Sequence, residues 1–481
     1  MSSSSDVFSR RGMIGLLGVS AGAASVALLP DRAAAAPAAA LPRPAEVYSV
    51  LDQGASSTAG DWTAAFQAAI NTASANGGGI VFIPAGDYPL TKGTGEATLT
   101  LKSNVTIRGE GYASHVYLDP ATAPDPARHY VMRVGSQTES ASNIVVEDIR
   151  LTVNHSSIGG GSLMGICARH DGPDKTIHSD NIYVRNCFIY DAQIAVGCTK
   201  SAVTGPYPDS RLNGQYRNWS VENCVLDLCG NKMIEFGECN FGFIRNNVMT
   251  RCTDGPQAIF HSRNILIEGN LISYRVSGIN VTAGSNHITI LGNVVEADPS
   301  ISVTVTNPAL YFRTESTAST DYVMHHVRSI GNVYRDRYTS TRRAFRTGTR
   351  TEVSSSTYER VSFIGDTFDG NVQLADLLAP SKTTIRDFTF VDCIFTGDIA
   401  NVPSSTMVAE DVAFHGCDLR GTAGYTIAAD KWTIQNSRVR GPLAVAATAN
   451  SAVVEGNRLD APLTGAGVPL AADSSGNYVY G

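Results

Sequence analysis

The chain has 481 residues, enough for two or three ordinary domains or for one solenoid. Only 17% are charged, 43% are hydrophobic and 45 are glycine, which suits a β-rich chain with many tight turns and excludes a disordered or coiled-coil one. Lys and Arg number 37 against 44 Asp and Glu, a formal net charge of −7 without any long basic run, so a nucleic-acid partner is not expected.

Residues 1–40 read as an address. Ser9-Arg10-Arg11-Gly12-Met13-Ile14 is followed by the apolar run Ile14 to Leu29 and an Ala-rich stretch to Ala40. A charged start, a short apolar core and small residues at the end describe an export signal that is cut off. The paired arginines resemble the twin-arginine signal; the alternative is an ordinary secretory one. The expectation is a secreted protein, with one domain over 41–481. No later stretch is long and apolar enough to span a bilayer, so no membrane partner is expected. The nine cysteines include no zinc-type CxxC pair. Cys187, Cys224, Cys393 and Cys417 share one phase of a sequence repeat and are expected to be buried free thiols.

In residues 61–90, DWTAAFQAAINTASANGGGIVFIPAGDYPL, Asp61 is placed to cap a helix. Trp62, Ala65, Phe66, Ala69, Ile70 and Ala73 line one face at i, i+3, i+4 spacing. Gly77 to Gly79 stop it, and Ile80 to Ile83 forms a buried strand ending in Pro84-Ala85-Gly86-Asp87-Tyr88. Helix, glycines, strand and PAGDY resemble the N-terminal cap of the pectate-lyase-like β-helix superfamily, and Asp52-Gln53-Gly54-Ala55 resembles the segment that usually precedes it.

Downstream the chain repeats an I-x-I strand closed by a small polar or thiol residue. VRNC ends at Cys187, VENC at Cys224, IRNN at Asn247, IEGN at Asn270 and ILGN at Asn293; SIGN, FIGD, FVDC, FHGC and VEGN come next, at Asn332, Asp366, Cys393, Cys417 and Asn457. The steps from 224 to 247, 270 and 293 are 23 residues each, about one coil of three short strands and their turns. Asn in that phase suits a turn, because it tolerates left-handed backbone and can bond its neighbour one coil away. The fold expected is all-β, a single-stranded right-handed parallel β-helix of about 11–13 coils behind the capping helix, from about 100 to 475.

The steps 187 to 224, 293 to 332 and 332 to 366 take 37, 39 and 34 residues, so each carries an insertion. The candidates are Lys200 to Arg217, Glu296 to Pro308, Thr314 to His325 and Arg335 to Arg343. In a solenoid such insertions map to loops, often on the binding face; the alternative is surface decoration. The expected groove runs over the outward faces of 193–197, 232–239, 256–262, 278–284 and 309–315. The later strands at 405–409, 425–429 and 443–447 carry no charge.

On the 23-residue step Glu238 falls beside His261 and then Gly284, while Asn231, Asp254 and Ser277 form a second ladder. A carboxylate against an imidazole one coil away is a plausible acid/base pair; the alternative is a surface ion pair. Glu235 faces outward if Ile234 and Phe236 face inward. The same step nevertheless sets it against Ala258 and Val281, a conflict that a one-residue bulge would remove. A buried glutamate without a partner is costly, which favours the outward reading.

The signatures of polygalacturonases and of pectate lyases on this fold are absent. In turn phase, residues 232–293 resemble the alginate- and chondroitin-cleaving lyases of this fold. Those use a Lys on one coil and an Arg on the next, where Glu238 and Phe260 stand here. MIEFGECNFGFIRNN (233–247) is similar to a strand-turn segment of inulin fructotransferases, which implies acidic chemistry on a β-helix.

The first functional expectation is therefore a secreted enzyme that breaks the glycosidic bonds of an extracellular polysaccharide by acid/base chemistry, of the glycoside hydrolase or glycan transferase type, with Glu235, Glu238, Asp254 and His261 as catalytic candidates and Arg263 assisting. Asp171, Asp191 or Asp209 would be the partner carboxylate if it comes from a loop. The second is a lyase acting by β-elimination on a uronic-acid polymer, for which His261, Tyr274, Arg275, Tyr311 and Arg313 supply base and cations. The third is a glycan-binding surface protein without activity. No cofactor is required by any motif, and calcium remains open to isolated loop carboxylates.

Overall fold

The computed structural model describes residues 46–479 apart from short segments, among them 54–59, 171–175, 200–214, 260, 283, 300–307, 314–321 and 337–342. The export-signal call at 1–40 and the candidates Asp171 and Asp209 lie outside the described residues. No described helix is long and apolar enough to cross a membrane.

Helix α1 runs Thr63–Ala75 and buries Ala65, Phe66, Ala69, Ile70 and Ala73, the face expected from spacing. Asp61 Oδ1 accepts the Thr63 amide at 3.0 Å and the Thr91 amide at 3.1 Å, tying the helix start to the first coil. Gly78 ends the helix at φ +125° where a Cβ would come within 2.5 Å of the Asn104 carbonyl, so only glycine fits. Phe66 and Tyr88 pack edge to face at 5.7 Å, seating the PAGDY segment against the cap.

From there the chain winds in stacked coils. A fifteen-stranded sheet takes one strand per coil from Val47–Ser49 to Ala452–Glu455, a twenty-four-stranded sheet takes most of the others, and Tyr425–Ile427, Leu443–Val445 and Thr464–Gly465 form a third. Every strand pairing between neighbouring coils is parallel, as at Ile182↔Trp219 and Ile265↔Ile288. Apolar residues at alternate positions fill one interior along the stack, which no single coil could bury.

Two columns of left-handed residues set the corners. One precedes the I-x-I strands of the fifteen-stranded sheet: Asn104, Asn143, Asn181, Asn218, Phe241, Asn264, His287, His326, Arg360, Asp387 and Asp411 all have φ between 53° and 63°. Asn143 donates to Asn104, Asn181 to Asn143 and Asn218 to Asn181, at 2.9, 2.9 and 2.8 Å. The other comes after the same strands and includes Asn186, Asn223, Asn246, Gly269, Gly292, Gly331 and Gly365.

The repeat residues themselves stand one place later, inside. This corrects half of the expectation for Asn: left-handed backbone belongs to Asn246, Gly269 and Gly292, whereas Asn247, Asn270, Asn293 and Asn332 are buried in a ladder. Asn247 Nδ2 donates to Asn270 Oδ1, Asn270 to Asn293 and Asn293 to Asn332, each at 2.9 Å. Each amide also bonds a carbonyl one coil back, which satisfies its polar atoms without water.

Cys187 and Cys224 occupy that ladder in the earlier coils, and all nine cysteines are buried free thiols. Burial pushes the Cys229 thiol up to about 12 and also raises Cys187. Thiolate chemistry is therefore suppressed. A thiol reagent at pH 8 should label no cysteine of the native protein within minutes and all nine after unfolding; fast labelling of Cys187 or Cys224 in the native state would refute the interior placement.

Candidate functional site

Six consecutive strands of the larger sheet carry the expected floor: β1 (Phe188–Thr199), β2 (Val225–Gly237), β3 (Gln257–Ile259), β4 (Ile279–Thr282), β5 (Leu310–Arg313) and β6 (Arg343–Gly348). Most of each candidate insertion, including 200–214 and 314–321, lies outside the described residues.

One outward row runs Gly197, Glu235, Gln257, Asn280, Tyr311, Arg346 and Gln373, each paired with the next. A second runs Ile194, Lys232, Asp254 and Ser277. Cys229 pairs Cys252 but Lys232 pairs Asp254, so β2 carries one extra residue in between. That is the bulge the outward reading of Glu235 requires. It also corrects the second ladder, where Lys232 rather than Asn231 stands beside Asp254. Phe236, Ala258, Val281 and Phe312 form the inward row.

The middle of the floor is an enclosed ionic cluster. Glu235 is 3% exposed and pairs with Lys232. Asp254, 7% exposed, accepts Ser277 Oγ–H at 2.6 Å and Gln257 Nε2–H at 3.1 Å. Asn280 Nδ2 donates to Ser277 Oγ at 2.9 Å, closing the network. Upstream, the second row is apolar and Tyr130, Met164, Cys167 and Ile194 pack apart from the main interior, while the first row passes from Cys167 to Arg133. Downstream they turn cationic. The Arg313 and Arg346 guanidiniums each lie 5.6 Å from the Tyr311 ring centroid, a cation–π geometry. Burial, with the like charge of Arg346, lowers Arg343 below the usual arginine value against the pull of Asp336.

Glu238, His261 and Gly284 take equivalent left-handed places at the corner (φ 53°, 62° and 74°), one coil apart as the 23-residue step implies. His261 lies over Gly284, where a Cβ would approach its Nδ1 to 2.7 Å. These two candidates thus stand at the rim, while Glu235 and Asp254 stand on the floor. Arg275 is half-buried on the strand Leu271–Ser277.

Three substrate-binding expectations are corrected. Tyr274 points inward, is 0% exposed and donates its hydroxyl to Asp336 at 2.7 Å. Arg263 belongs to the fifteen-stranded sheet, paired with Asn286 beside His287. Asp191 accepts the Ser156 amide at 3.0 Å and so fastens the short helix His155–Ile158. Lys232, Gln257, Asn280, Arg343 and Arg346 are site residues that sequence reasoning missed. The bulge hid the first three; Arg346 lies on a strand that begins at Arg343, the end of a supposed insertion.

Solved structures share this architecture. The tailspike protein of E. coli bacteriophage HK620 in complex with pentasaccharide superposes with a TM-score of 0.57 at 15% identity, over 90% of this chain and 80% of that one. The Azotobacter vinelandii mannuronan C-5 epimerase AlgE4 A-module gives 0.51 at 14% identity, over 91% and 100%. The chain is a right-handed parallel β-helix. This is the fold of the pectate-lyase-like superfamily, as the cap and the repeat predict. A family model described as periplasmic copper-binding protein (NosD) matches residues 175–339 of the β-helix. The mannuronan C5-epimerases AlgE5 and AlgE2 of Azotobacter vinelandii are each 34% identical to it over 144 residues, 29% of this chain. The matched stretch spans 14% of the length of each of these curated relatives.

Proposed function

We propose that this β-helix is an enzyme acting on an anionic, uronic-acid-containing polysaccharide, and that it moves the proton on the carbon next to the sugar carboxylate. The observation that carries this reading is Tyr311 between the Arg313 and Arg346 guanidiniums on the outward row. Abstraction α to a carboxylate needs cations to hold the charge that builds on the carboxylate oxygens, and a proton-transfer group beside them. Tyr311 is that group and the arginines are the cations. The enolate-like species then either takes a proton from solvent on the opposite face, giving the epimer, or breaks the C4–O4 bond, the departing sugar oxygen taking a proton from water and leaving an unsaturated end. The partial likeness to mannuronan C5-epimerases supports a substrate of this class.

The row sets the length of chain held. Glu235 lies three coils from Tyr311, about 14 Å at the usual interstrand spacing. That spans several sugars, with the apolar outward patch upstream to take a ring face. A second reading rests on the Lys232, Glu235 and Asp254 cluster: glycosidic cleavage with these carboxylates as acid and base.

The deciding experiment incubates the purified chain with mannuronan, polygalacturonate and neutral glycans in D2O. Deuterium at C5 is expected if the sugar is epimerised, and absorbance of unsaturated ends if the linkage is eliminated. New reducing ends without deuterium or unsaturation would instead establish the cleavage reading, and binding without any product would make the protein a glycan-binding one. Repeating the assay after EDTA reports on calcium.

A further inference from the structure

Away from the floor, three imidazoles converge on the fifteen-stranded sheet. His287 stands on the strand Asn286–Leu291, and His325 and His326 on the neighbouring strand Tyr322–Ile330, with Asn286 paired to His325. His287 and His326 occupy consecutive places in the left-handed column that four earlier coils fill with mutually bonded asparagines. Their rings stack 4.7 Å apart and 8° from parallel, while His325 stands edge-on to both. One ring nitrogen from each of the three lies within 4.8 Å of the others. His325 Nδ1 is 2.5 Å from His326 Nδ1, so both cannot carry a proton and at least one presents a lone pair there.

We propose that His287, His325 and His326 form a binding site for a divalent transition-metal ion of the imidazole-preferring kind, clipping two coils together. Copper, zinc and nickel ions favour such donors, whereas calcium and magnesium favour oxygen. Nitrogens about 2.0–2.1 Å from one ion sit roughly 3–4 Å from each other, which small ring rotations here achieve. Water fills the remaining positions on the solvent side, where His287 is exposed.

Three charged groups face the cluster. Glu359 pairs with His325 from the next coil, Arg360 comes after His326 in the left-handed column, and Arg263 adjoins His287. Burial, then the charge of neighbouring imidazoles, holds His287 and His325 below the ordinary histidine value, so both are in the neutral form that ligates. Arg360 and Arg263 repel a cation and Glu359 attracts it. Loss of the Arg360 charge should therefore strengthen metal binding, an effect that a merely structural histidine stack would not show.

The test is calorimetric titration of the untagged, metal-free chain with Cu2+ and with Zn2+, with electron paramagnetic resonance of the copper form. One equivalent is expected to bind, with nitrogen hyperfine structure. His287→Asn and His326→Asn should each weaken binding at least tenfold. Asn fills the equivalent places of other coils, so these variants should fold, as circular dichroism will check. Arg360→Gln should tighten binding, and His178→Ala, just before the strand Ser179–Arg185, should change nothing. No saturable uptake by the wild type, or unchanged affinity in the doubly substituted chain, would overturn the proposal.

Discussion

Replacing Tyr311 by Phe should lower turnover on the uronic-acid polymer about 10²–10⁴-fold, the usual range for removing a positioned proton-transfer group, while KM changes only a few-fold. The ring stays, and with it the contacts of the Arg313 and Arg346 guanidiniums at 5.6 Å from its centroid. Only the hydroxyl is lost, so substrate binding should survive. Arg346→Gln should behave differently, raising KM as well as lowering turnover, because a guanidinium that neutralises the substrate carboxylate acts on the bound ground state too. Glu235→Gln, Asp254→Asn and His261→Ala complete the set. Should Tyr311→Phe keep near-normal turnover while Glu235→Gln or Asp254→Asn loses it, the chemistry belongs to the ionic cluster and the cleavage reading takes over. Near-normal rates in all five would place the active centre elsewhere.

The interior was legible in the sequence because it obeys two strict periods. Alternation along each strand and a recurring coil phase place Cys187 and Cys224 inside from the sequence alone, as the 3.6-residue period of the cap helix does for Phe66. The outward rows obey the coil length less strictly. One extra residue between Cys229 and Lys232 moves Glu235 from Ala258 to Gln257, and every outward neighbour shifts with it. An interior row corrects such a slip, since a misplaced polar residue would be buried without partners. An outward row has no such check.

Tyr274 is a different case. Alternation from the inward Ile272 already places Tyr274 inside, and its hydroxyl, expected to meet a substrate, bonds Asp336 there instead. The three histidines carry a signal in the sequence: His287 and His326 each stand immediately before the apolar strand residue, as Asn143 does in NIVV and Asn181 in NIYV. Treating that place as a column, like that of the repeat residues, brings two histidines 39 positions apart into adjacent coils.

The interior ladder yields the other large effect, on stability. Asp366 continues the row of asparagines, and its Oδ1 accepts the Asn332 amide at 2.6 Å and Asn332 Nδ2 at 3.0 Å. Burial pushes its carboxyl up from 3.8 to about 6 against the opposing pull of those bonds. Well below pH 3.8 the group is protonated whether the chain is folded or not, and it does not affect stability. Between about pH 4 and 6 the folded chain keeps a proton that the unfolded chain has lost, so stability falls as pH rises; above 6 the penalty is complete. Two units of displacement correspond to about 3 kcal/mol at neutral pH. Asp366→Asn removes the charge and keeps the oxygen that Asn332 needs. Its new amide has an acceptor waiting: Asn270, Asn293 and Asn332 donate to the carbonyls of Ile244, Ile267 and Ile290, each three residues before the preceding ladder position. The same rule points residue 366 at the Ser329 carbonyl. Urea denaturation should therefore find the variant more stable than the wild type by about 2–3 kcal/mol at pH 7.5 and close to equal at about pH 3. A gap of the same size at both pH values would mean that the substitution acts through packing, and that the Asp366 carboxylate carries no such penalty.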